Sequence, residues 1–269
     1  MVKRSAWWRR IAAGTCLVLS AASPGFAQTK AGDVTVGTSL TFTSRFIEGE
    51  VPVRIHSPTG TGVTTGARYP VLYMLELGDD FVFGAAVVDF LALTERIPPL
   101  MVVAIDVDNL SGTPQGMINF LEQELFPYVE RTYRTEPKRL LFGHSGRSFA
   151  SFFMLLTRPE LFDALILPGF GLSWPLEPGR NDLTAMAAER FAKLTSFPKT
   201  IVFSLGDERK FFAGIDRFKA MLAKDAPKDM RWIYLPFPED DHTSTKLKTL
   251  YQGLEFVFAR KPGSPATKR

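Results

Sequence analysis

This sequence predicts an α/β domain: a mostly parallel central sheet with an antiparallel N-terminal edge and helices on both faces. Three observations carry the prediction. Compact apolar runs recur at 71–75, 101–105, 140–142, 164–167 and 200–203, as expected of strands buried on both sides. Apolar residues at helical spacing lie between several of these runs. The first two strand patterns follow one another with no helix between them, which sets an antiparallel pair at the edge of the sheet.

The strand reading begins at 34–46 and continues at 50–56. In the second, Val51, Val53 and Ile55 alternate with Pro52, Arg54 and His56, a half-buried period that puts His56 on the outer face. The glycine- and threonine-rich 57–66 segment reads as a loop. Ile118, Leu121, Leu125, Tyr128 and Val129 mark a helix over 115–133, which Pro127 should bend. Phe149, Phe152, Phe153 and Leu156 mark the helix that follows 140–142. The 170–198 segment reads as an excursion over the site between two core strands. Beyond it come a helix over 211–222, a strand at 230–235 and a last helix carrying Leu250, Leu254 and Val257. No repeat or second domain is visible, so 28–260 reads as one domain and 261–269 as a loose tail.

Residues 1–27 read as an export signal. Lys3, Arg4, Arg9 and Arg10 precede a mostly apolar stretch over 11–19, and Gly25-Phe26-Ala27 offers a cleavage site. The stretch is short for a membrane span, and an uncleaved anchor is the competing reading. Removing these residues takes four cations and no acids from a chain with 32 Lys+Arg and 28 Asp+Glu, leaving 28 of each. The basic balance of the full chain therefore gives no argument for nucleic acid, nor for membrane insertion after cleavage. Cys16, the only cysteine, leaves as well, so no disulfide or thiol chemistry is expected in a periplasmic or secreted product.

The stretch Leu140-Leu141-Phe142-Gly143-His144-Ser145-Gly146-Arg147 places a serine between a buried strand and a helix. This is the layout of a nucleophile elbow, except that its usual final glycine is Arg147. A nucleophilic serine needs a base, and the base needs a third group to fix its tautomer. Of three histidines, His144 should turn away or pack beneath the elbow and His56 lies in an early strand, leaving His242 in the loop before the last helix. The acid should follow the 200–205 strand, where Glu208 is favoured slightly over Asp207, with Asp240 or Asp241 as the alternatives. The Gly146 N–H and an amide near Leu77 and Gly78 are the expected oxyanion donors. Asp79, Asp80, Glu239, Asp240 and Asp241 lack metal-ligand spacing and read as solvated acids, so neither metal nor cofactor is expected.

Several segments together resemble the putative-esterase family of α/β-hydrolases, which includes esterase D and the siderophore esterases. They are Arg68-Tyr-Pro-Val-Leu-Tyr-Met-Leu75, Phe120 through Glu130, the elbow with Thr157-Arg-Pro-Glu-Leu-Phe-Asp163, Ser173-Trp174, Asp241-His242 and Tyr251-Gln-Gly-Leu254. The resemblance spans roughly 38–258. It implies Ser145 as nucleophile, His242 as base, an acid in the 206–209 turn, and an oxyanion contribution from the 77–78 turn. The implied reaction is hydrolysis of a small or siderophore-like ester. A weakly catalytic binding protein and an acyltransferase using the same serine are the alternatives. Arg147 and Trp174 are the candidate pocket residues, Arg147 as a charge that would favour acidic substrates.

Overall fold

The computed structural model describes residues 33–59, 63–64, 66–76, 79–107, 114–172, 183–208 and 214–259. The export signal, Leu77, Gly78, Trp174 and the 261–269 tail therefore lie outside the described residues.

Among the described residues eight strands form one sheet: β1 (Thr38–Thr43), β2 (Glu50–His56), β3 (Tyr69–Glu76), β4 (Met101–Asp106), β5 (Thr135–Gly143), β6 (Ala164–Leu167), β7 (Thr200–Leu205) and β8 (Arg231–Pro236). Their order is β1-β2-β4-β3-β5-β6-β7-β8. β1 pairs antiparallel with β2 and β2 antiparallel with β4, and every pairing from β4 to β8 is parallel. This is the predicted sheet with its antiparallel N-terminal edge. The parallel arrangement brings the carboxyl ends of β5, β6 and β7 to one rim, where open α/β sheets collect their functional loops.

Side chains alternate cleanly between two cores. Val71, Tyr73 and Leu75 of β3, with Leu141, Leu165, Ile201 and Phe203, belong to the larger one. Helices α2 (Pro114–Phe120), α3 (Phe126–Thr132), α4 (Gly146–Thr157), α5 (Leu183–Phe191) and α6 (Gly214–Asp225) contribute to that side. Leu72, Met74, Phe142, Ile166 and Val202 face the other way, toward α1 (Asp80–Leu93) and α7 (Thr245–Phe258).

The structure departs from the sequence reading in four places. Helix α1 has no counterpart in it, because Phe81 through Leu93 is apolar on every face and shows no period; Val82, Phe90 and Leu93 are exposed while Phe81, Val88 and Leu91 are buried. Helix α5 occupies part of the supposed excursion. The bend near Pro127 is a π-helical turn at Leu121–Leu125, closed by the Phe126 N–H on the Leu121 carbonyl. That wider turn accommodates a proline, whose ring would otherwise meet the carbonyl four residues back. His56 is buried, not exposed. Its Nδ1 lies 2.6 Å from the Val36 carbonyl and its Nε2 3.0 Å from Asp89 of α1. The outer face of β2 is only partly buried at Pro52 and Arg54, but α1 covers it at His56, so the alternation misassigns the last residue.

Candidate active site

β5 ends at Gly143 and α4 begins at Gly146, so His144 and Ser145 form the whole connection. Ser145 takes φ 59° and ψ −124°, a region an L-residue enters at a cost of about 1–3 kcal/mol. The surroundings hold it there. Its N–H donates to the Pro168 carbonyl at the end of β6 (3.2 Å), and its carbonyl accepts the Ser148 N–H (2.9 Å) and the Ser148 hydroxyl (2.5 Å). The turn lifts the serine above the sheet at the start of a helix, where first-turn amides such as Gly146 N–H have no intrahelical acceptor.

The close approach inside the elbow falls on the backbone of Arg147, not on its side chain. The Arg147 carbonyl lies 2.7 Å from the place a Cβ on Gly143 would occupy, so Gly143 is the elbow glycine that gives clearance. Arg147 itself is half-buried and its carbonyl accepts the Ser151 hydroxyl at 2.7 Å.

Two loops supply the other groups. After β7 the chain turns through Gly206, Asp207 and Glu208; after β8 it runs through 237–244 into α7. The Asp207 N–H donates to the Asp240 carbonyl (2.8 Å) and ties the two loops together. Adjacent side chains in this turn point opposite ways. Asp207 is exposed, whereas Glu208 is only 7% exposed and its Oε1 lies 3.2 Å from His242 Nδ1. An Nδ1–H donated to that carboxylate leaves Nε2 as the basic nitrogen. The alternative acids are engaged elsewhere. Asp241 Oδ1 accepts the Thr243 and Ser244 N–H groups at 2.8 and 2.7 Å, which holds its carboxyl below the usual range, and Asp240 pairs with Lys248 at 2.6 Å. Nor is Asp80 the solvated acid expected: it is buried and pairs with Lys246 at 2.5 Å.

The His242 ring is seated on Gly169, at the end of β6 beside Pro168. A Cβ on Gly169 would stand 2.6 Å from His242 Cε1, and φ is +57° there, so glycine serves both the space and the backbone. Pro168 accepts the Ser145 N–H, so the serine backbone and the histidine ring are both held at the end of β6. His144 completes the cluster, with its ring 4.5 Å from that of His242, centroid to centroid. It is 5% exposed, and burial pushes its pKa down to about 4, so it stays neutral.

That depression has a stability consequence. Below pH ~6.5 the unfolded chain binds a proton at His144 that the folded chain refuses down to pH about 4, so stability falls as pH drops through this window. The contribution is roughly 2–4 kcal/mol. Urea unfolding at pH 7 and pH 4 should show it, with part of the acid loss absent in His144→Gln.

A family model described as "Putative esterase" matches residues 44–170, which contain the elbow and the Pro168–Gly169 seat. The chain is similar to that family over this segment, just under half of its length. Ferri-bacillibactin esterase BesA of Bacillus subtilis (strain 168) is 34% identical over 64 residues, 23% of this chain and 22% of the relative's length. Among solved structures, an IroE-like serine hydrolase from Shewanella oneidensis superposes with TM-score 0.72 at 23% identity, over 82% of this chain and 80% of the other. Siderophore hydrolase EstB from Aspergillus nidulans gives TM-score 0.72 at 12% identity, over 88% and 99%. These structural likenesses are likenesses of fold. Glu208 and His242 lie beyond the matched family segment, so their placement here rests on the geometry alone.

Proposed function

We propose that this protein is a member of the putative-esterase family and an exported serine carboxylic-ester hydrolase acting on a small or siderophore-like ester. The observation that carries the reading is the pairing of His242 Nδ1 with buried Glu208, on a ring seated against the same β6 terminus that holds Ser145. In the proposed reaction Ser145 Oγ attacks the ester carbonyl carbon as its proton passes to His242 Nε2. The oxyanion is met by the Gly146 N–H and by an amide assigned to the 77–78 turn. The tetrahedral adduct collapses, the C–O bond to the alcohol breaks, and His242 returns the proton to the leaving oxygen. Water then attacks the acyl-serine with the same histidine as base, releasing the acid. The Glu208 carboxylate stabilises the imidazolium formed in both steps.

The siderophore-like substrate is supported by the activity named for the Bacillus relative, and export by the basic-then-apolar N-terminus. Among the described residues no helix is long and apolar enough to cross a membrane. Turnover of a panel of short acyl, aromatic acyl and cyclic siderophore esters tests the reading; a folded protein that hydrolyses none of them would refute it. Arg147 is proposed to bias the pocket toward anionic esters. Arg147→Gly should lower kcat/KM for an anionic ester about 10-fold or more relative to its neutral analogue, and equal effects on both would remove the selectivity role.

A further inference from the structure

The base stands on an exposed loop: Asp241, Thr243 and Ser244 are exposed, and the His242 side chain is itself 36% exposed. A ring so placed needs a fixed backbone if it is to meet a serine and a carboxylate together. The structure supplies one through the His242 carbonyl, which accepts two hydrogen bonds. His144 Nε2–H donates at 2.8 Å and the Thr245 hydroxyl at 3.0 Å. Both donors are buried, Thr245 completely. The Thr249 hydroxyl donates to the Thr245 carbonyl at 2.6 Å and lies 2.6 Å from the Ser204 hydroxyl of β7, so the grip continues into the sheet.

We propose that His144 and Thr245 are positioning residues that clamp the backbone carbonyl of His242 and so hold its ring between Ser145 and Glu208. This inference rests on the triad reading above. His144 is a costly way to fill space, since its Nδ1 is buried with no hydrogen-bond partner among the described residues. An apolar side chain would pack there without that cost, and the donor on Nε2 is what an apolar side chain lacks. The depressed pKa keeps the clamp neutral beside a base that must itself become a cation.

The test compares His144→Phe, which keeps the ring and loses the donor, with His144→Gln, which keeps an N–H at similar reach. His144→Phe should lose about 10- to 100-fold in kcat with KM within about 2-fold, and His144→Gln should recover most of it. Thr245→Val should repeat part of the loss and Thr245→Ser restore it, which covers a His144→Phe protein that does not fold. The low-field His242 Nδ1–H proton resonance gives a readout independent of turnover: sharp in wild type and His144→Gln, broadened in His144→Phe. Wild-type kcat and an unchanged resonance in His144→Phe would overturn the clamp, as would equal impairment in the Phe and Gln variants. A wild type that turns over no ester fails the esterase reading, whereas an unchanged resonance in His144→Phe fails the clamp.

Discussion

Glu208→Gln should reduce kcat by about 10³–10⁴-fold with little change in KM, the scale known for removing the charge behind a triad histidine. The carboxylate fixes the proton on Nδ1 and offsets the positive charge on the imidazole in each transition state. A neutral amide offsets no charge and can present its NH₂ to Nδ1, which favours the wrong tautomer. Glu208 Oε2 is buried without a hydrogen-bond partner among the described residues, so the amide group of the glutamine would have no new partner there. Asp207→Asn should stay within about 3-fold of wild type, because its side chain is exposed while its useful contact is a backbone N–H. Comparable losses in the two variants would show that the acid lies elsewhere.

Gly169→Ala should lower kcat about 100-fold although it removes no functional group. The new methyl would stand 2.6 Å from His242 Cε1, 3.0 Å from Nδ1 and 3.2 Å from His144 Cδ2, and all three are ring atoms. A ring cannot yield as a flexible chain end does, so the base must tilt away from the serine. A displacement on the order of 1 Å costs about 100-fold in rate. The left-handed backbone adds about 1–2 kcal/mol of strain. Circular dichroism and urea unfolding would show a folded, weakened protein, and stopped turnover would show the moved base. Unchanged kcat in a folded Gly169→Ala protein would mean that His242 does not work from this seat.

Much of the fold was legible because the buried strands are compact and punctuated, and because their order with the helices leaves little choice of topology. What escaped has specific causes. Helix α1 carries no period to detect, since both its buried and its exposed faces are apolar. His56 sits where α1, through Asp89, covers the otherwise half-exposed face of β2, and strand alternation carries no sign of that helix. For the site, elimination among three histidines was enough to single out His242. Choosing between Glu208 and Asp207 was only a lean, because neighbouring residues in a turn diverge and side-chain direction depends on backbone angles that sequence does not state. The engagement of His144 with His242 joins residues 98 apart in sequence. Its only sequence signal is a polar ring in a position that packing alone would give to an apolar residue.

The central claim is that Ser145 is an activated nucleophile. A fluorophosphonate probe, followed by mass spectrometry of the peptide bearing the elbow, tests it most directly. The account predicts a covalent phosphonyl adduct on Ser145 in folded wild-type protein, none in Ser145→Ala, and slow labelling in Glu208→Gln. Folded wild-type protein left unlabelled, or labelled equally in Ser145→Ala, would contradict it.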